Sequence, residues 1–466
     1  MTYDVIVIGA GPAGLAAATQ AAQLGPRVAL LDEQPNAGGQ IYRDVDRASQ
    51  TRGDILGRDF THGLTLTQAL ANSGATHLRG AVVWSIENEY DVLYTQNGRA
   101  QRISAPHIIL ATGAIERPMP ITGWTLPGVM TAGAGQILLK QSGIVAQDAV
   151  LVGSGPLLYL LATQMIRAGT PPQAMIETQT TRDFIQAPSH YMGALRGWRY
   201  LAKGLGMLRA IKRAGVQRYS SAQDIEITGD TRATGVRFRA NGRSKTIQCK
   251  TVYLHHGVVP NTQIARSLDI PHVWDETQGC FAPKCDDWGQ TQRDGIFIAG
   301  DSAGIGGAKA AEIAGRLCAL KIAQSMGRLS DQDAMRHAAP LLRQRDRERA
   351  ARPFLDRAYP PYAPALLPPD DTIICRCEEV TAGKIRDYAR MGCLGPNQAK
   401  AFGRAGMGPC QGRYCGLTVT QILANENNQT PDDTGYYHIR PPLKPVTLGE
   451  LALMDTDPEI NKGPNT

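Results

Sequence analysis

Val5-Ile6-Val7-Ile8-Gly9-Ala10-Gly11-Pro12-Ala13-Gly14-Leu15-Ala16-Ala17-Ala18 is a β-rich apolar run, a G-x-G-x-x-G turn and the start of a small-residue helix. That order is the one a dinucleotide site requires. Gly9 makes the tight turn, Gly11 lets backbone N–H groups approach a pyrophosphate, and Gly14 lets helix and strand pack closely. Pro12 and Ala13 lie inside the same candidate site, at a helix N-terminus whose partial positive charge suits phosphates. A second apolar run, Val28-Ala29-Leu30-Leu31, ends at Asp32-Glu33, where a carboxylate should accept hydrogen bonds from an adenosine ribose. Asp32 directly follows the run and is favoured over Glu33. The bland alternative is a βαβ unit that binds nothing.

Two later segments choose the kind of dinucleotide. His107-Ile108-Ile109-Leu110-Ala111-Thr112-Gly113-Ala114 reads as a buried strand ending in a small, sharp turn. Gly295-Ile296-Phe297-Ile298-Ala299-Gly300-Asp301 reads as another, followed by a small-residue helix around Ala308 to Leu317. In this order the segments resemble the two-dinucleotide flavoprotein reductases of the glutathione-reductase-like superfamily. The resemblance implies an α/β, Rossmann-type fold with two dinucleotide-binding domains, and FAD (or another adenine nucleotide) in the first site. It also implies that Gly300 and Asp301 close over the ribityl chain, and that Thr112 and Gly113 mark the crossing into the second domain. Asn36-Ala37-Gly38-Gly39-Gln40 has no cysteine where one reductase branch carries its dithiol, which makes disulfide reduction improbable. Gly39 and Gln40 are retained as cofactor contacts.

Ala149-Val150-Leu151-Val152-Gly153-Ser154-Gly155-Pro156-Leu157-Leu158 repeats the first pattern, and Glu177 stands where the second ribose acid should be. Gly153, Gly155 and Glu177 are therefore candidates for a nicotinamide site. Glu177 would repel a 2′-phosphate, so the ligand should be NAD rather than NADP. Leu158 replaces the third glycine, and its side chain must push the helix off the sheet or pack sideways. NAD occupancy stays open.

Composition sets the class. The chain has 466 residues, 42% hydrophobic and 20% charged, with a formal charge of +7 and nine cysteines. Length implies several domains, and the balance is that of ordinary soluble proteins. Nothing suggests nucleic-acid binding. Eight Lys or Arg between Arg182 and Arg218, against Asp183 alone, form either a solvated helix face or a docking face for an acidic partner. The uncharged, apolar stretch Ala149 to Ile166 is interrupted by Gly153-Ser154-Gly155-Pro156, so no transmembrane segment is expected. An odd cysteine count without a secretion signal suggests reduced thiols and a cytoplasmic setting. Cys249, Cys280, Cys285, Cys318 and Cys393 read as inert thiols.

Cys375-Arg376-Cys377 and Cys410-Gln411-Gly412-Arg413-Tyr414-Cys415 supply a C-x-C and a C-x₄-C some thirty residues apart. Four thiolates are the usual complement of an iron–sulfur cluster. Were the first pair extended, both sulfurs would project to one side, about 6.6 Å apart along the strand. A Cys₄ zinc site is the alternative, and spacing barely separates the two. The array resembles the bacterioferritin-associated-ferredoxin (BFD) type of [2Fe–2S] domain, although its C-x₄-C departs from that type's C-x-x-C. Arg376 and Arg413 could offset the thiolate charge. Before this segment, the Arg-rich stretch from Arg343 to Arg352 and the prolines of Tyr359-Pro360-Pro361 and Pro368-Pro369 read as a connector, helical then extended.

Several phrases narrow the resemblance: Ala114-Ile115-Glu116-Arg117-Pro118, Gly123-Trp124-Thr125-Leu126-Pro127-Gly128, His256-Gly257-Val258-Val259-Pro260-Asn261-Thr262 and Arg440-Pro441-Pro442-Leu443-Lys444-Pro445. Together they look like the α-type subunit of heteromeric opine or amino-acid dehydrogenases, a group that includes hydrogen cyanide synthase and proline or hydroxyproline dehydrogenase relatives. The resemblance implies a cytoplasmic complex, with peripheral attachment to the inner membrane as an option. It implies a β-type flavoprotein subunit that oxidises the amine, and leaves open a small ferredoxin-like subunit. This chain would pass the electrons on. No paired carboxylates, Ser/His/Asp set or amine-site base is evident, so its own catalytic set is expected to be empty. Expected domains are 1–117 and 255–330 for FAD, 118–254 for the second nucleotide fold, 331–370 for the linker, 371–425 for the cluster and 426–466 for a C-terminal docking tail. The competing readings are a stand-alone NADH-dependent reductase and a nucleotide-binding scaffold with a structural metal.

Overall fold

The computed structural model describes residues 3–87, 90–185 and 191–454. Two parallel five-stranded sheets organise the chain. In the first, the strand order is Ile296–Ile298, His107–Leu110, Val5–Ile8, Val28–Asp32 and Thr76–Arg79. In the second it is Gln217–Tyr219, Ala174–Glu177, Val150–Gly153, Val252–His255 and Val129–Thr131. Val5–Ile8 and Val150–Gly153 are both central and wholly buried, which is why they are continuous apolar runs without alternation. Each sheet carries a three-stranded antiparallel companion, at 82–104 and 223–248.

Helix Pro12–Gln23 leaves the first glycine turn and lies against helix Ala308–Ser325. Small residues set that spacing: a Cβ on Gly315 would lie 2.0 Å from the Ala13 carbonyl oxygen. The two folds meet where strand Ala114–Glu116 pairs antiparallel with Val258–Pro260. Among the described residues no helix is long and apolar enough to cross a membrane.

Between 331 and 370 the chain is mostly helical, over Asp331–Arg349, Arg352–Ala358 and Ala363–Leu366. This stretch does not run free as a linker would. Tyr362 and Ala365 belong to the apolar core of the second fold, with Val152, Ile225 and Leu254. The cysteine segment follows, with helices Ala382–Arg390, Pro396–Gly403 and Gly416–Glu426. Its core is continuous with that of the first fold. Trp124 Nε1, from the second fold, donates to the Ile373 carbonyl at 2.6 Å.

The expected docking tail folds back on its own chain as far as residue 454. Leu443 is buried and its N–H donates to the Trp84 carbonyl at 2.6 Å. Helix Leu448–Ala452 starts with a capping box of Thr447 and Glu450, and Leu451 and Met454 pack on Trp84, Leu93 and Ala100. Residues 455–466 lie outside the described residues.

Gly315→Ala should push the two helices apart and destabilise the chain by about 1–3 kcal/mol, the usual effect of overpacking. Thermal denaturation of the full chain checks this, and an unchanged melting temperature would contradict it.

Candidate functional site

Four backbone loops converge at the carboxyl edge of the first sheet. Gly9 has φ +104°, and a Cβ there would lie 2.5 Å from the Ala111 carbonyl oxygen. A Cβ on Gly14 would lie 1.8 Å from the Gly9 oxygen, and one on Gly39 would lie 2.7 Å from the Gly11 Cα. Gly300, at φ +77°, faces the Ala13 side chain. Gly9, Gly11, Ala13, Gly14, Gly39 and Gly300 are thus brought together, and Gly9, Gly14, Gly39 and Gly300 are required by geometry. Pro12 opens the helix here.

Asp32 is buried and holds this cradle from below. Its carboxylate accepts the Ala10 N–H at 2.6 Å and the Gln34 N–H at 2.7 Å. Burial raises its pKa, against the pull of these two backbone donors. Glu33, more exposed, pairs with Lys444 of the tail at 2.8 Å. Asp301 accepts the N–H groups of Gly306 and Gly307, each at 2.9 Å, and so anchors the start of helix Ala308–Ser325. Thr112 Oγ1 donates to the Asn261 carbonyl at 3.2 Å, and Asn261 N–H donates to the Gly113 carbonyl at 3.0 Å. The turn at Thr112-Gly113 is thereby tied to the return crossing.

Two cations here escaped sequence reasoning. Arg43 is buried beside Asp32, Glu33 and Asp44, and its Nε has no hydrogen-bond partner among the described residues. Lys140 is buried and donates to the Gln40 carbonyl at 3.0 Å and to Gln136 Oε1 at 2.7 Å. Burial pushes its amine down to about 7, with Arg43 adding to the effect. The cradle of glycines, with a buried, unpartnered guanidine N–H behind it, fits an adenine dinucleotide.

The second glycine loop has the same backbone and different surroundings. Gly153 has φ +126°, and a Cβ there would lie 1.7 Å from the His255 oxygen. Leu158 packs sideways, 1% exposed, against Leu151, Leu161 and Met175, so its bulk is absorbed by the core. Glu177 is 1% exposed. Its two oxygens take Arg218 Nε at 3.0 Å and Nη2 at 2.8–2.9 Å, the Tyr159 hydroxyl at 2.6 Å and Gln179 Nε2 at 3.1 Å. Ser154 Oγ, between the two glycines, donates to the Pro360 carbonyl at 3.1 Å. Gly153, Gly155 and Glu177 do stand together, but Glu177 is closed by the chain's own donors and does not fit a ribose.

His255 and His256 end the adjoining strand. His255 Nδ1 meets Glu116 Oε1 at 2.5 Å. His256 is fully buried, with Nε2 at 2.7 Å from the Pro118 carbonyl and Nδ1 accepting the Tyr362 N–H at 3.1 Å. Burial, with Arg117 nearby, drives its pKa well below the ordinary value, so the ring is neutral and structural.

The four cysteines gather as two pairs. Cys375 closes strand Ile373–Cys375, and the chain turns at once, so the extended C-x-C expected from spacing does not form. Cys415 hydrogen-bonds to Cys375, which holds Cys375 down at about 6 and pushes Cys415 up. Cys377 and Cys410 are the second pair. Among the described residues no group of three or more His, Cys, Asp or Glu is close enough to hold a single metal ion. The glycines of the loop make room for two tyrosines: a Cβ on Gly406 or Gly412 would strike Tyr437, and one on Gly416 would lie 2.1 Å from Tyr436 Oη. Tyr436 donates to the Gly412 carbonyl at 3.0 Å, and Tyr437 Oη is 3.9 Å from Cys415 Sγ. Arg413 donates to the carbonyls of Cys410 and Leu443, and Arg376 lies over Trp124. From the flavin-type fold, Arg266 inserts its guanidinium between Phe281 and Tyr436, 4.7 and 4.2 Å from the ring centroids.

A family model described as pyridine nucleotide-disulphide oxidoreductase matches residues 3–327, and one described as the sarcosine oxidase A3 domain matches 371–454. The A-type polypeptide of opine oxidase from Agrobacterium tumefaciens is 43% identical over 97% of this chain and 91% of its own length. Hydrogen cyanide synthase subunit HcnB of Pseudomonas aeruginosa is 30% identical over 98% of this chain and its entire length. Among solved structures, L-proline dehydrogenase from P. horikoshii shares the fold with a TM-score of 0.72 at 18% identity, over 97% of this chain and 79% of that one.

Gly14→Ala should lower bound flavin by about tenfold, roughly 1.4 kcal/mol of affinity, measured as flavin released per chain. Unchanged flavin content would contradict the cradle. Lys140 generates a pH dependence. The unfolded chain keeps this proton up to the ordinary value of 10.5, while the folded chain gives it up near 7. Stability from this group is therefore present above 10.5 and lost as pH falls towards 7. Lys140→Met should flatten that rise, so its melting temperature gains most on the native chain near neutral pH and least near pH 10.

Proposed function

This chain belongs to the pyridine nucleotide-disulphide oxidoreductase family and, within it, to the group of A-type opine oxidase polypeptides. From that membership we propose that this oxidoreductase is the α-type subunit of a heteromeric opine or amino-acid dehydrogenase, carrying electrons away from amine oxidation on a partner flavoprotein subunit. FAD would be held by Gly9, Gly11, Gly14, Gly39, Thr112, Gly113, Gly300 and Asp301, and a [2Fe–2S] cluster by Cys375, Cys377, Cys410 and Cys415. When bound, these groups supply two-electron acceptance and one-electron transfer respectively.

The observation that carries this proposal is the seating of the cysteine segment directly on the flavin-type fold. Val259 to Gln263 and Arg266 line a cleft with Arg413, Leu417 and Tyr436. The same stretch is bonded to Gly113 through Asn261. Each protein residue there has a definite task. Arg266 holds Tyr436, Tyr436 holds the Gly412 carbonyl, and Arg413 holds the Cys410 carbonyl, so the cysteine loop is fixed from the flavin side. Tyr437 covers Cys415 and keeps water from it.

Anaerobic co-purification with the partner flavoprotein tests the proposal. Iron and acid-labile sulfide should be present in equal amounts without zinc, and the visible spectrum should bleach on adding proline, hydroxyproline, glycine or an opine. Cys375→Ser with Cys410→Ser should abolish turnover with an external acceptor while the partner's flavin is still reduced. Full activity in that variant, or amine turnover by this chain alone, would overturn the proposal.

A further inference from the structure

The nicotinamide site that this family implies is filled by the chain itself. In open parallel sheets, dinucleotides lie outside the carboxyl ends of the strands. Here the relevant ends are those of Val150–Gly153, Ala174–Glu177 and Val252–His255. The segment Tyr359-Pro360-Pro361-Tyr362 crosses all three. Pro360 accepts the hydrogen bond of Ser154, immediately after the first end. Tyr359 packs edge-on against Tyr159, at 6.0 Å, and that tyrosine's hydroxyl is bonded to Glu177 at the second. Tyr362 N–H reaches His256, immediately after the third.

The chemistry of the segment suits the place. Prolines present carbonyl acceptors and no N–H donors, so the Pro360 carbonyl offers Ser154 the kind of acceptor a pyrophosphate oxygen would. The ribose acid needs no ligand either, because Arg218 pairs with Glu177 through both nitrogens of one guanidinium edge. A competitor for this crevice would have to extract Tyr362 and Ala365 from the apolar core. It would also face a tethered occupant, whose effective concentration is in the millimolar range for short tethers.

We propose that residues 359–362 are the resident occupant of the second nucleotide crevice, a peptide in place of a dinucleotide, so that neither NADH nor NADPH delivers electrons to this chain. The proposal stands apart from the electron-transfer reading. Iron content and substrate bleaching do not depend on it.

The test uses the FAD-loaded chain with its partner subunit, titrated calorimetrically with NAD⁺, NADH and NADPH to millimolar concentrations, with hydrogen exchange followed in parallel. The expected result is no binding heat from the second fold and slow exchange at the Tyr362 amide that dinucleotides leave unchanged. Saturable binding that protects 153–158 and speeds exchange at 359–362 would overturn the proposal. Binding that protects 9–14 reports the first crevice, and the occupant stands. Arg218→Ala removes the ion pair while Pro360 stays bonded to Ser154 and Tyr362 to His256, so this variant should remain blind to NAD⁺. Gain of NAD⁺ binding in that variant would assign the closure to the ion pair and overturn the role of the peptide.

Discussion

Contact of backbone on backbone beneath the two glycine turns is the constraint on which this molecule rests. Gly14 against Gly9, and Gly153 against His255, leave no room for a Cβ. Each contact draws a helix onto a parallel sheet, and each leaves a crevice at the strand ends. The crevices then diverge through what lies over them. The first is ringed by Gly11, Gly39, Gly113 and Gly300, with a carboxylate below and a buried guanidinium beside it. The second has an ion pair where the ribose acid should act, and a tyrosine–proline segment across its mouth. One backbone solution therefore occurs twice, with its crevice open at the strand ends of the first sheet and covered at those of the second.

What seats the cysteine segment is apolar burial far more than charge. Lys444 and Glu33 pair at 2.8 Å, but both side chains are about two-fifths exposed. Such pairs contribute about 0–1 kcal/mol. Tyr437, Ile439 and Leu443 are buried in the same region, and full burial of one large apolar side chain stabilises by about 1.5–3 kcal/mol. The tail is thus held by its apolar residues, and the ion pair serves mainly to set its position beside Glu33. Arg266 is the exception among the charges. Its guanidinium is sandwiched between two rings, where stacking keeps it in place across the interface between the flavin-type fold and the cysteine loop.

Much of the fold was legible because its determinants are local. The turn from Gly9 to Gly14, the buried strand ending at Asp32, and the strands leading to Gly113 and Gly300 each combine a hydrophobic run with a conformational requirement that few residues meet. The repeat at Gly153 was equally readable. Its occupancy was not, because it depends on Arg218, Pro360 and Tyr362, which lie 41 to 206 residues from their partners and carry no local signal. The pairing of Cys375 with Cys415, rather than with Cys377, depends on a turn that spacing does not encode. Leu158 was recognised as anomalous, and only its neighbours Leu151, Leu161 and Met175 explain how it is accommodated. Lys140 and Arg43 escaped notice because a lone cation in a sequence looks solvated until the fold buries it.

A nucleotide fold with a peptide in its crevice still has a structural task. The chain must pass from helix Asp331–Arg349, on the flavin-type fold, to Cys375, and the cysteine segment must end up beside Asn261 and Arg266. A free connector would let that segment sample many orientations, and fixing it would then cost conformational entropy. Seating Tyr359 to Tyr362 at the carboxyl edge of the second sheet removes most of that freedom before the cysteine segment begins. Trp124, from the same fold, then grips Ile373, two residues before the first sulfur. On this view the second fold positions the cysteine segment through the crevice at its strand ends. The closure of Glu177 by Arg218 and the seating of the connector on Ser154 then belong to the same sheet edge.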